Sequence, residues 1–335
     1  MWKKRLLPLV LLLVCSLPAA GQQRDSFWRD LNDFLDMRAD KAYAKTDTTY
    51  VGRYPYHWDA RLFARSTGFH FVSTYGGDIA LTTGLRNRIG IGLAWRGLGL
   101  SISHAIGEKY NLSLGLDSYG QHFCFEYALK ATTALKGTIQ LDSHDLHWDN
   151  VENLLLISNK LNIFYSFNPR FSYAAAMKQT KIQHRSAGSF IAAVSWAVWD
   201  ILLMDEDPLQ LEDFYQANYF YQRFSVGAGY GYNLVLGRQH WLLHASLVPM
   251  WSVYEMQSWR ERGVKDRAHY PYGKIAYTGT ARAGVYYRWG ERWSVGFSGV
   301  INQMASTNHF SGKKDDFMRF GAQEWQMNLA LAYRF

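Results

Sequence analysis

The chain has 335 residues, a formal net charge of +8, 16% aromatic residues and a mean hydropathy of −0.24. Beyond its N-terminal leader no apolar run reaches the ~18 residues that a spanning helix needs; the nearest, Phe190 to Met204, is broken by Ser195 and Asp200. With abundant Tyr, Trp and Gly and only 7 Pro, that suits a membrane barrel better than a helical membrane protein.

The chain opens on a basic stretch, Met1-Trp-Lys-Lys-Arg5, then an apolar run, Leu6 to Leu17, then the small residues Pro18-Ala-Ala-Gly21. This order is that of a cleaved secretory signal peptide, with cleavage expected after Gly21. Cys15 follows Val14 rather than a small residue, which argues against lipid attachment there. Without the leader the only cysteine is Cys124, which has no partner for an internal disulfide and reads as a buried thiol. Loss of Lys3, Lys4 and Arg5 also takes the net charge from +8 to +5. A basic cytosolic chain would suggest nucleic acid; export removes that partner and points to anionic lipid and lipopolysaccharide.

Residues 22–57 form a separate region. Phe27, Leu31, Phe34 and Leu35 recur at helical spacing, with Arg29, Asp30, Asp33 and Asp36 on the other faces. They predict a short amphipathic periplasmic helix, which serves as a clasp or enters the barrel as a plug. Residues 39–57 read as a linker onto the first strand.

From residue 58 to 335 the period is two, the strand period. Ile79, Leu81, Leu85, Ile89, Ile91, Leu93 and Trp95 share one predicted face against Asp78, Thr82, Gly84, Arg86, Arg88, Gly90 and Gly92. Phe224, Val226, Ala228, Tyr230, Tyr232 and Leu234 alternate with Ser225, Gly227, Gly229, Gly231 and Asn233. The last stretch alternates most cleanly: Trp325, Met327, Leu329, Leu331, Tyr333 and Phe335 against Glu324, Gln326, Asn328, Ala330, Ala332 and Arg334. A soluble sandwich would alternate too, but its minor face would not consist of Gly, Ser and Asn, which suit a narrow lumen. Tyr333 and the terminal Phe335 resemble the signal by which barrel-assembly machinery recognises outer-membrane barrels.

Counted back from Phe335, strands fall near 322–335, 292–302, 275–288, 240–254, 219–235, 188–202, 154–167, 120–133, 110–117, 97–106, 79–94 and 59–74. An even number with both ends in the periplasm gives about twelve strands, in a range of roughly ten to fourteen. This parity puts 134–153 in a long outside loop and leaves 169–187 as a periplasmic or inward-folded segment. The expected fold is therefore all-β, a transmembrane antiparallel barrel.

Four blocks are similar to one family: Asn168-Pro-Arg-Phe-Ser-Tyr-Ala-Ala-Ala176, Gln183-His-Arg-Ser-Ala-Gly-Ser-Phe190, Gly229-Tyr-Gly-Tyr-Asn-Leu-Val-Leu236 and Thr280-Ala-Arg-Ala-Gly-Val-Tyr-Tyr287. They resemble an uncharacterised group of Bacteroidota outer-membrane barrels, domain of unknown function 4421. The resemblance implies a barrel over roughly residues 45–335 and brings no activity.

No cofactor is expected. Asp142, His144, Asp145, His147 and Asp149 offer metal-type ligands at close spacing, as do Asp205, Glu206, Asp207, Glu212 and Asp213 for Ca²⁺. Both stretches read more simply as solvated outside loops. His70, His104, His122 and His244 fall on or near predicted lumen faces without a nucleophile motif around them. Ser186 and Ser189 beside His184 read as a turn with basic flanks. The expected function is a non-enzymatic outer-membrane barrel, structural, ligand-binding or passing a small or lipidic solute. The alternative is a rim enzyme acting on lipid A or phospholipid.

The predicted inward faces carry Arg61, Arg65, Arg86, Arg88, Glu126, Lys130, Arg282, Arg288, Glu324 and Arg334. Long side chains of both signs can cross a narrow lumen and pair, with Asp59 and Asp117 as further anions. The lumen is accordingly expected to be occupied rather than open.

Overall fold

The computed structural model describes residues 46–74, 77–107, 111–141, 146–202, 218–261, 264–269, 276–309 and 317–335, with Arg29, Asp30, Asp33, Phe34, Met37, Asp40, Lys41 and Ala44. Of the N-terminal stretch, Arg29, Asp30, Asp33, Phe34, Met37, Asp40 and Lys41 are helical. The signal peptide and its cleavage after Gly21 lie outside the described residues, as do Phe27, Leu31 and Leu35. So do Asp142, His144 and Asp145 and the acidic residues from Asp205 to Asp213.

Sixteen strands follow in chain order among the described residues: β1 (Val51–Arg53), β2 (Trp58–Ser73), β3 (Gly77–Thr82), β4 (Arg86–Trp95), β5 (Leu98–Ala105), β6 (Asn111–Tyr119), β7 (Phe123–Leu141), β8 (Leu146–Ser166), β9 (Lys181–Gln183), β10 (Ala187–Leu202), β11 (Asn218–Leu236), β12 (Trp241–Glu261), β13 (Val264–His269), β14 (Ala276–Trp289), β15 (Trp293–His309) and β16 (Phe317–Arg334). Twelve of them pair antiparallel into a closed ring, β2-β4-β5-β6-β7-β8-β10-β11-β12-β14-β15-β16 and back to β2. The closing seam runs from Arg334 opposite Asp59 to Phe320 opposite Ser73. At its end Trp58 and Phe335 exchange backbone hydrogen bonds of 3.1 Å.

Alternation decides the two surfaces. Outward, Ile89, Ile91, Leu93, Leu100, Leu247, Phe297, Met327 and Leu329 are exposed, an apolar coat that water would penalise and lipid does not. Inward on the same strands stand Gly, Ser, Asn and charged residues. One barrel end carries the tight connections, such as Arg96-Gly97 and Arg238-Gln239, in the left-handed region. That end also carries an aromatic belt: Trp95 and Trp58, Trp58 and Phe335, Phe335 and Tyr333, Tyr333 and Trp293, Trp293 and Trp289, then Tyr287 and Trp241 stand in successive ring contact. Amphipathic rings in a belt suit a membrane–water interface.

The strands depart from the expected bounds in a consistent way. Residues 79–94 are not one strand: Thr83 to Leu85 interrupt them, with Gly84 at φ +59°. The break turns Ile79 and Leu81 into the lumen while Ile89 to Leu93 face out, so the shared face does not exist. β3 instead bridges β2 and β7 beyond the ends of the short strands β4, β5 and β6. The expected outside loop at 134–153 is mostly strand, because β7 runs to Leu141 and β8 begins at Leu146. The inward apolar residues Leu135, Ile139 and Leu154 hold this extension together.

Candidate functional site

The lumen is closed twice. At the long-connection end, Phe69 and Phe71 of β2 meet Trp199 of β10, ring centroids 5.3 and 6.4 Å apart. Those strands lie six places apart in the twelve-membered ring, so the contact spans the barrel. Tyr221 of β11 stacks on Phe320 of β16 at 4.0 Å and on Trp199 at 5.2 Å. Each such aromatic pair adds about 0.5–1.5 kcal/mol beyond its area burial. Leu81, Leu135, Leu154, Ile201 and Met304 fill the rest of the layer.

Beneath this seal Arg223 lies over Tyr221 and Phe320, at 5.4 and 5.2 Å from their ring centres. Its guanidinium bonds Glu255 at 3.0 Å and the Tyr277 carbonyl at 3.2 Å. Glu255 also accepts from Gln257 and Ser306. A buried ion pair survives only when its lone pairs and protons are used in this way.

At the tight-turn end the segment between β8 and β10 folds inward. Helix α1 (Tyr173–Met177) is capped by the Ser172 hydroxyl, which accepts from Ala175 N at 3.1 Å. Phe171, Tyr173, Ala174, Ala175 and Ala176 are buried in the lumen. Gly231 admits the plug: a Cβ there would sit 3.2 Å from the Phe171 ring. The open choice for residues 169–187 is thus settled as inward-folded. Residues 46–57, expected to be a linker, add a second layer: β1 pairs with β9, and Tyr54 stacks under Arg334 at 3.8 Å. Arg170 pairs with Asp47 at 3.0 Å. The Thr49 hydroxyl, helped by its backbone N–H and Arg170, holds the Asp47 carboxyl below its usual range. With its folded pKa depressed, that tie contributes at neutral pH and is lost as pH falls through the folded value.

Gln183 is the keystone of the plug. Its Oε1 accepts from Ser172 N and Asn233 Nδ2, each at 3.0 Å. Its Nε2 donates to the carbonyls of Arg170, Arg185 and Tyr50 at 2.7, 2.9 and 3.3 Å. Gln183→Ala would strand these buried groups, at about 1–3 kcal/mol for each one left unsatisfied. The expected result is trypsin cleavage at Lys178, Lys181 or Arg185 in a barrel that keeps its heat-modifiable mobility on gels. Unchanged resistance of the variant would show that the plug does not hang on Gln183.

Between the closures charged side chains reach across. Arg282 of β14 grips Glu126 of β7 with two bonds of 2.5 and 2.6 Å. Lys130 and, at 3.5 Å, Lys160 share Glu324. Lys178 of the plug meets Asp117 at 2.5 Å, and Asp59 takes Arg61 at 2.5 Å and Arg334 at 3.6 Å. Arg65 donates a long 3.5 Å bond to Asn328 and lies over Phe63. Arg88 donates to Asn111. Arg86 is half-buried on the inward parity of β4, and Arg288 sits at the mouth, donating to the Gln239 carbonyl at 3.0 Å.

A family model described only as a domain of unknown function, DUF4421, matches residues 45–335. The chain belongs to that family. No curated protein matches it. The DUF4421 chain is similar in structure to the outer-membrane protease OmpT of Escherichia coli, with TM-score 0.38, 9% identity and coverage of 83% of this chain and 97% of that one. It is also similar to the beta domain of the Bordetella autotransporter BrkA, with TM-score 0.34, 10% identity and 82% and 99% coverage. The Pseudomonas putida toluene transporter TodX gives TM-score 0.31 and 8% identity over 84% and 91%. Likeness at this level carries no inference about activity.

Among the described residues, His70, His104, His122, His184 and His244 of the DUF4421 barrel do not gather at one lumen site. His70 and His104 are exposed on the outward parity of β2 and β5, correcting their expected inward placement. His122 donates to the Ser166 carbonyl in a turn. His184 bonds Gln239 rather than Ser186 or Ser189. His244 meets a serine hydroxyl. Asn233 spends its amide N–H groups on Ser172 O and Gln183, so its Oδ1 accepts from His244 Nδ1 at 2.8 Å. That leaves His244 Nε2 to accept from Ser246 Oγ at 3.0 Å. The order is that of a nucleophile, base and orienter. Yet Phe171 and Tyr173 cover the imidazole, and the Tyr173 hydroxyl reaches Ser246 at 3.3 Å. In this state the chain is a latch between plug and wall.

Sequence reading missed Lys160, Lys178 and the Arg223–Glu255 pair. Lys160 shares parity with Asn162 and Ser166 and was legible as an inward residue. Glu255 was not, because β12 slips register against β11 at Phe224/Ser225, so that Glu255 joins a face of opposite parity from His244.

Proposed function

We propose that this DUF4421 protein is an outer-membrane barrel, exported through its N-terminal leader, that holds a small ligand in a closed lumen. It is neither an open porin nor an enzyme of the rim. The observation that carries the reading is the pair of closures, aromatic at one end and a hydrogen-bonded plug at the other. Twelve strands lie between barrels filled by side chains and those that leave a channel, so the lining decides. The apolar outer coat and the aromatic belt support a place in the membrane. By the parity of such barrels the plug faces the periplasm and the aromatic seal the outside. The Asn233–His244–Ser246 chain lies beneath the plug, away from any lipid substrate at the rim.

Proteoliposomes carrying the wild type should swell in arabinose no faster than protein-free vesicles. Swelling at porin rates would contradict the proposal. A changed lipid A or phospholipid acylation pattern in a deletion strain, restored by wild type but not by His244→Ala, would favour the enzyme instead.

Assembly is a second part of the proposal. Tyr333 on β16 and Phe335 just past its end stand in the aromatic belt, next to the closing seam. Replacing both with Asp places two charges against lipid, each costing up to roughly 2–4 kcal/mol by depth, and removes the aromatics that assembly machinery would read. A several-fold lower yield of the heat-modifiable form in outer-membrane fractions is expected. Wild-type yield would rule this role out.

A further inference from the structure

The charges inside the barrel are sorted by depth. Along the backbone register, Asp59, Asp117 and Glu126 share one inward-facing row near the plug. All three are engaged there, by Arg61 and Arg334, by Lys178 and by Arg282. The next inward row begins at Arg61 and ends at Lys160, with only Gly92, Ser101, Gly115 and Ala128 between them. The row beyond places Lys130 beside Ser113, and the one after sets Arg65 directly opposite Arg88. These deeper rows carry Arg65, Lys130 and Lys160, with Glu324 shared by the two lysines, while Arg61 turns back to Asp59.

A cavity of about 230 Å³ opens here, lined by six cations, Arg61, Arg65, Lys130, Lys160, Lys178 and Arg282, and three carboxylates, Asp117, Glu126 and Glu324. The small row makes the space: a Cβ on Gly92 would have no neighbour nearer than 3.5 Å. Arg65 meets no carboxylate among the described residues, and it stands next to another guanidinium. Cations packed together away from bulk water repel one another and lose hydration, a cost relieved by a counter-charge rather than by more neutral wall.

We propose that these deeper rows form a binding site for a small multiply charged oxyanion of the phosphate or sulfate class. The planar fork of Arg65 suits two oxygens at once, Lys130 and Lys160 supply point charges, and the Ser101 and Ser113 hydroxyls supply neutral donors. At roughly 30 Å³ for each water displaced, the cavity holds a tetrahedral oxyanion with a few waters, or a small organic phosphate, but not acyl chains. Entry requires the polar, hydrogen-bonded plug to open transiently, because aromatic rings close the other end. The proposal rests on the closed lumen for its dehydration, but its test reads binding and not ion flux, so either can fail alone.

The test uses the full-length folded barrel in detergent, prepared without phosphate buffers, and titrated with inorganic phosphate and with sulfate by calorimetry. Saturable one-site binding is expected, weakening as salt rises. Arg65→Gln should weaken it at least about tenfold, the effect of one charge-assisted hydrogen bond lost. Lys160→Gln should act in the same direction, and Arg170→Gln, outside the cavity, should bind as wild type. Phosphorus released by acid from freshly purified protein should partition into water; recovery only in chloroform would place it on a lipid and overturn the small-ligand assignment. Absence of saturable binding in heat-modifiable wild type, or equal affinity in Arg65→Gln, would overturn the site itself.

Discussion

Replacing Glu255 with alanine is expected to destabilise the barrel by about 3–5 kcal/mol, the range for breaking a buried ion pair from one side. Arg223 and Glu255 are 1% and 3% exposed, so the guanidinium left behind cannot rehydrate in place. It also sits against Tyr221 and Phe320, which puts the stranded charge directly under the aromatic seal. Replacing both partners, Arg223→Met with Glu255→Leu, removes the charge together with its need, and should return stability to within ~1 kcal/mol of wild type or above it. Urea unfolding of the folded band in lipid, followed by tryptophan fluorescence, reads both variants. A double variant as unstable as the single would mean that packing, not charge, sets the cost.

Opening the lumen should require two lesions. The closures stand in series, so water and ions are blocked while either remains. Exchanging residues 170–186 for a short Gly-Ser turn removes the plug but leaves Phe69, Phe71, Trp199, Tyr221 and Phe320 in contact across the barrel. Trimming Trp199, Tyr221 and Phe320 to alanine opens the aromatic layer but leaves Gln183 and its five hydrogen bonds in place. Neither variant alone should swell liposomes, whereas the combination should do so at porin-like rates. Its pore should favour anions, because cations outnumber carboxylates along the cavity lining. Swelling by either single variant, with its folded band intact, would show that the remaining closure leaks.

Much of this architecture was legible in the chain because a barrel writes its two faces at period two. The run from Glu324 to Phe335 shows which residues meet lipid and which the lumen, and the even-strand rule then places the turns. The inward charges Arg61, Arg65, Glu126, Arg282 and Glu324 follow from the same parity. What parity cannot carry past is a break in phase. Gly84 redirects Ile79 and Leu81, the register slips in β7 between Thr132 and Leu135, and β12 slips before Glu255. Each break turns apolar or charged residues inward at the outer end, which is why the aromatic seal and the Arg223–Glu255 pair were not foreseen. Cross-lumen partners are equally silent in a single sequence, since Lys160 and Glu324 lie 164 residues apart. The plug was legible only as a stretch with no place in the strand count. Its fit depends on Gln183, whose role is set by five partners drawn from four separate stretches.

Whether the folded barrel is closed at both ends is read by a single-channel recording on the wild-type protein in a planar bilayer. With heat-modifiable protein inserted from detergent in molar KCl, the expected record is a flat baseline with at most brief, small openings. Large, steady, porin-like steps from the same preparation would show that the lumen is open.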